Sequence, residues 1–255
     1  MTTAAKETAV ASEMAVGELV TALQAHYGSA LRVVVRFGSA VAGEVLPGQS
    51  DTNLLIIVDS VSLASLLHKS PAIRSWTAAG NPAPLLLTLN EWRSSADIFA
   101  MEYADILHRH QVLAGDAPFE GVHVAPEDLR LHVERETMGK LLQLRRAIMA
   151  VGEDQAGQRQ LLLNGLSTLM VIFRGVSRVA GHAPPMDYLQ LSREVATLAG
   201  FDATPFERLV QHARRDVQIP VTEVTPVLTG VLDAMGRLVA HLDRAGGNAR
   251  SGVTS

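Results

Sequence analysis

Two short apolar runs rich in β-branched residues, Leu31–Phe37 (LRVVVRF) and Asn53–Val58 (NLLIIV), do most to limit what this chain can become. Runs of this length, almost unbroken by polar residues, suit strands buried on both faces. The segment that joins them, GSAVAGEVLPGQSDT, holds three Gly and a Pro and reads as a loop. Around the pair, apolar spacing predicts a helix over Glu13–His26 that stops at Gly28, helical segments near Val61–His68 and Pro71–Ala79, and a third strand at Pro84–Leu89. Asn90 is placed to cap a short helix over Glu91–Ser95, and Ile98–Ile106 (IFAMEYADI) reads as a fourth strand. After Gly121 the texture changes. Pro126 opens an amphipathic pattern through Leu129, Val133, Leu141, Leu144 and Ile148, and further helices are expected near Ala156–Ala180, Met186–Ala199, Pro205–Arg215 and Val224–Leu242. The expected fold is therefore α+β. A mixed sheet with flanking helices (13–123) precedes an all-helical bundle (126–244), between a disordered leader (1–12) and a disordered tail (245–255).

Composition narrows the function classes. With 22 Lys+Arg against 26 Asp+Glu, the chain lacks the basic excess of a general nucleic-acid binder. Its 255 residues contain no Cys, which removes disulfide scaffolds, Cys-ligated zinc and thiol catalysis together. The apolar stretches are broken well short of the ~18–20 residues that a membrane span needs, so a cytoplasmic protein is expected. Leu162, Leu166, Leu169 and Phe173 form a stripe suited to core packing or to pairing in a homo-oligomer.

The order strand, Gly38-Ser39, loop, Ser50-Asp51-Thr52-Asn53, strand has a chemical reading. A Gly directly after a buried strand lets a phosphate approach backbone N–H groups, and the Ser39 hydroxyl adds a donor. Positions 51 and 53 lie two apart at a strand start, so their side chains share a face and could share a metal ion. A carboxylate from an adjacent strand would complete a site for one or two Mg²⁺. Ser50-Asp51 also fits a plain loop cap before a strand.

This arrangement resembles the nucleotidyltransferase superfamily, whose motif is a strand, Gly-Ser, about a dozen spacer residues, then Asp-x-Asp/Glu entering the next strand. The wider form GSxARGE…SDIDLLV is matched here by GSAVAGEVLPGQSDTNLLIIV. FAMEYADILHRHQVLAGDAPF is similar to the segment that carries the third carboxylate, at Glu102 or alternatively Asp105. The whole chain also resembles bacterial nucleotidyltransferase-domain proteins, whose helical region opens on a segment like LRLHVERETMGKLLQLR (Leu129–Arg145). The resemblance implies Mg²⁺-dependent transfer of a nucleoside monophosphate from an NTP to a small-molecule or protein acceptor. Gly38, Ser39 and Ser50 would hold the triphosphate, Asp51, Asn53 and Glu102 the metal, and Asp51 and Glu102 would be catalytic.

Two positions depart from the motif. Asn53 stands where the second metal carboxylate belongs, and Ala42 where an Arg would contact phosphate. Losing one such electrostatic stabiliser typically costs ~10²–10³ in rate. The alternative is thus a pseudoenzyme, a nucleotide-binding or protein-interaction module without turnover. His108 and His110 read as a solvated turn, and Arg208/His212 and Arg237/His241 as helix faces rather than a nuclease pair. The interleaved charges of Leu129–Arg146 read as a solvated helix face with i,i+4 support, from which Lys140 or Arg135 could reach a phosphate.

Overall fold

The computed structural model describes residues 3–38, 41 and 52–251, which divide into two compact units, Met1–Val124 and Ala125–Ser255. In the first, α1 (Thr3–Tyr27) and a single 3-10 turn lead into β1 (Leu31–Phe37), and β2 (Asn53–Val58) follows. Next come α2 (Leu63–Ala78), β3 (Leu85–Thr88), α3 (Leu89–Ser94), α4 (Ala100–His108) and β4 (His110–Gly115). The strands form one mixed sheet in the order β3-β2-β1-β4. β1 is antiparallel to both β2 and β4, and β3 lies parallel to β2.

Strand alternation sorts the side chains onto two faces. Val34, Leu54, Ile56 and Val58 pack against Val16, Leu19, Val20 and Leu23 of α1 and Trp76 of α2. Val33, Val35, Leu55 and Ile57 pack against Trp92, Tyr103 and Ile106 of α3 and α4. On that second face the Trp92 and Tyr103 rings stack 4.2 Å apart, and the Tyr103 hydroxyl donates to the Trp92 carbonyl oxygen at 2.9 Å. Burial, together with the charges of Asp97 and Glu91, pushes the Tyr103 phenol up to about 12, so it remains a donor at any physiological pH.

β1 and β2 coincide with the two runs read from the sequence, whereas other elements correct the expectation. Ile98–Ile106 is not a strand. Ala100, Tyr103 and Ile106 fall at helical spacing and bury one face of α4, and this packing outweighs the β-propensity of Ile, Phe and Tyr. The fourth strand is instead His110–Gly115. Helix α2 runs unbroken through Pro71. Its start is fixed by reciprocal Ser62–Ser65 capping and its end by Ala72, Ile73 and Trp76 on the sheet, which together outweigh one missing N–H. The cap of α3 is Thr88, not Asn90: Thr88 Oγ1 accepts from the Glu91 N–H and Glu91 Oε2 accepts from the Thr88 N–H at 2.7 Å. The first helix begins at Thr3 and the last ends at Ser251.

The second unit contains α5 (Pro126–Val151), α6 (Gln155–Val179), α7 (Tyr188–Ala199), α8 (Thr204–Ala213) and α9 (Val221–Ser251). Leu162, Leu166, Leu169 and Phe173 are buried within this unit, so the α6 stripe is core. By length and composition α6 alone among the described residues could cross a membrane, yet half of its apolar window is buried here.

Candidate functional site

β1 ends at Gly38, whose φ of +82° lies in the left-handed region that only Gly adopts at little cost. Its carbonyl oxygen accepts from the Val41 N–H at 3.2 Å. Directly across, Asn53 opens β2 opposite Phe37. A Cβ on residue 38 would stand 3.0 Å from Asn53 Nδ2, so the missing side chain of Gly38 is the space that the Asn53 amide occupies. Gly38→Ala should therefore both strain the backbone and push on Asn53, costing about 1–2 kcal/mol. Both tryptophans, Trp76 and Trp92, lie in the first unit, so thermal unfolding followed by Trp fluorescence checks this; an unchanged midpoint would show that residue 38 tolerates a side chain.

Register extends the row across the sheet. Asn53 pairs with Phe37, and Phe37 pairs on its other side with His110. On β3 the pairing begins at Leu55↔Leu85, two residues beyond Asn53. The row thus reads Asn53, Phe37, His110. The neighbouring β3 positions on this face, Leu85 and Leu87, pack into the α3/α4 core. No carboxylate is offered to Asn53 from either adjacent strand.

Glu102 lies in the first turn of α4 rather than in the sheet, and Asp105 follows one turn later, nearly buried. Three apart on a helix, the two are neighbours and not on opposite faces as a strand would place them. Ser39, Ala42, Ser50 and Asp51 lie outside the described residues. Among the described residues no group of three or more His, Asp or Glu side chains is placed to hold a metal ion. These residues by themselves therefore do not make a two-metal carboxylate site.

The row contains one residue that sequence reasoning set aside. His110 starts β4, with Nδ1 2.7 Å from the Ile106 carbonyl oxygen and its ring edge-on to Phe119. That contact makes Nδ1 the donor and leaves Nε2 as the acceptor nitrogen. Its signal was the short run His110–Ala114 before Gly115, hidden while the preceding segment was read as the strand. In the helical unit, by contrast, the Arg/His candidates serve structure: Arg208 pairs with Glu223, Arg237 with Asp233, and His212 Nδ1 accepts from the Ile219 N–H. Lys140 donates to Gln143 Oε1 at 3.3 Å, and burial pushes its ammonium below the usual lysine range.

No protein-family model matches the chain, and no curated protein sequence does. Among solved structures it is similar to spectinomycin adenyltransferase AAD(9) from Enterococcus faecialis, a crystal structure with ATP and spectinomycin. The TM-score is 0.58 at 13% identity, over 91% of this chain and 99% of that one. The fold is nucleotidyltransferase-like. At this identity the likeness concerns the fold, a mixed sheet followed by a helical region, as expected from the sequence. Gly38 and Asn53 meet at one end of the β1–β2 pair.

Proposed function

We propose that this protein binds a nucleoside triphosphate at the Gly38 end of the sheet and transfers its nucleoside monophosphate, slowly, to a small-molecule or protein acceptor. The observation that carries the reading is the packing of Asn53 into the space beside Gly38, within a fold shared with an adenyltransferase over nearly the full length of both chains. In this reading Gly38, Ser39 and Ser50 hold the triphosphate, and Mg²⁺ enters as its counter-ion. Asp51 supplies charge toward that ion, Asn53 a neutral oxygen, and Glu102 a carboxylate from α4. An acceptor hydroxyl forms the new bond to the α-phosphorus, pyrophosphate leaves, and the hydroxyl proton passes to a protein base. The near-neutral charge favours a small molecule or protein over a polynucleotide as acceptor, and cysteine-free composition fits a cytoplasmic setting.

A second reading, nucleotide binding without turnover, is favoured by a specific observation: β1 and β3, the strands that flank β2, carry no acid that would strengthen metal binding beside Asn53. Calorimetric titration with ATP, GTP, CTP and UTP in Mg²⁺, followed by pyrophosphate release with an acceptor panel that includes spectinomycin, separates the two. Binding with acceptor-dependent release supports transfer, and binding without release supports the second reading. Absence of binding to all four nucleotides would overturn both.

A further inference from the structure

Transfer to a hydroxyl needs a group that takes the hydroxyl proton, and β4 brings one to the Gly38 end of the sheet. Directly paired residues of neighbouring strands share a face. His110 therefore lies on the same face as Phe37 and Asn53, the face that packs on α3 and α4. Strands stand ~4.8 Å apart, so two spacings put the His110 backbone ~10 Å from that of Asn53. The imidazole is held on two sides. Its Nδ1 lies 2.7 Å from the Ile106 carbonyl oxygen near the end of α4, and the ring meets Phe119 edge-on with centroids 4.7 Å apart. A carbonyl oxygen only accepts, so Nδ1 carries the proton and Nε2 the lone pair. On the far side of the ring, Nε2 points away from that carbonyl and has no hydrogen-bond partner among the described residues. Glu102 sits one turn before Ile106, ~6 Å back along the axis of α4.

We propose that His110 is the general base of the transfer reaction, an inference that rests on reading the Gly38 end of the sheet as the nucleotide site. The acceptor hydroxyl oxygen forms its bond to the α-phosphorus while its proton passes to His110 Nε2. The bond from the α-phosphorus to the bridging oxygen breaks, and pyrophosphate leaves with that electron pair. The imidazolium so formed donates from both nitrogens, Nδ1 still to the Ile106 carbonyl, and then gives the proton to water. The dimensions agree. A base stands ~3 Å from the oxygen it deprotonates, and that oxygen ~3 Å from the atom it attacks. A line from base to hydroxyl to phosphorus is thus ~6 Å long and fits within the ~10 Å between the His110 and Asn53 backbones. The assignment also divides the work. A carboxylate that holds Mg²⁺ must stay deprotonated, so Asp51 and Glu102 are poor choices to take up the proton, whereas a neutral imidazole beside the metal residues is free to do so.

His110→Asn is the test, because the Asn amide keeps a donor near the position of Nδ1 and offers no base. With ATP, Mg²⁺ and the acceptor panel, pyrophosphate release should fall by ~10²-fold or more. Calorimetric ATP affinity should stay within about twofold of the parent, since the base acts on the transition state and not on the bound nucleotide. Unfolding followed by Trp fluorescence should be unchanged. In His110→Ala, added imidazole should restore much of the lost rate and do so saturably, which a side chain that only packs would not allow. The tautomer is read without turnover: ring nitrogen NMR shifts, assigned by the signals lost in His110→Asn, should show a protonated Nδ1 and a bare Nε2 in the neutral ring. A parent that binds ATP but releases no pyrophosphate with any acceptor overturns transfer and the base with it. A parent that turns over while His110→Asn keeps its rate, a loss that imidazole does not restore, or a proton on Nε2 of the neutral ring overturns the assignment of His110 alone.

Discussion

Asn53→Asp is expected to raise acceptor-dependent pyrophosphate release by ~10²-fold while nucleotide affinity changes by no more than about threefold. The asymmetry follows from where the charge acts. In the proposed site a carboxylate at residue 53 would strengthen metal binding and offset the charge that builds on the leaving pyrophosphate, whereas the triphosphate would be held mainly by backbone and hydroxyl donors. The substitution also sets a second negative charge two residues from Asp51. Like charges at one site disfavour ionisation, so the nucleotide-free variant should unfold at a lower temperature than the parent and recover in Mg²⁺ with NTP. Asp51→Ala in the Asn53→Asp background should return release to the buffer rate. A variant that binds NTP but turns over no faster than the parent would show that residue 53 does not limit transfer.

Gly115→Ala should be the most destabilising single methyl addition in the α/β unit, by about 3 kcal/mol or more. Gly115 has a φ of +76°, and a Cβ there would collide with the Arg32 carbonyl oxygen and stand 2.9 Å from the Arg32 carbonyl carbon. Those are main-chain atoms of the central strand and cannot move aside. The same carbonyl accepts from the Asp116 N–H, so relief by shifting β4 would break the pairing that holds it. Gly80→Ala is the control, since Gly80 has a φ of +88° and open space around it. It should cost only the backbone strain, about 1–2 kcal/mol. Thermal unfolding read by Trp fluorescence reports this unit alone. Equal midpoints for the two variants would mean that β4 is not seated against Arg32 as described.

What could be read from the sequence followed the strength of each local signal. β1 and β2 are runs that leave little choice, and both coincide with the structure to the residue. Ile98–Ile106 is ambiguous because a short apolar segment with alternate polar residues satisfies two periods at once. The decision came from Trp92, which offers Tyr103 a stacking surface that no local pattern reveals. That misreading also put Glu102 on a strand and hid His110. The pairing of β3 with β2 depends on parallel register, which no spacing in the sequence specifies.

Thr88 is the last residue of β3 and also the N-cap of α3. No loop separates strand from helix, so this edge strand is held taut at its C-terminal end. Shifting it by two residues to bring another side chain beside Asn53 would pull the cap apart and expose Trp92. A lineage of this chain can therefore gain or lose an acid on this edge by substitution, but not by sliding the strand. Glu91, the first acid downstream, is committed to the cap and stays out of reach.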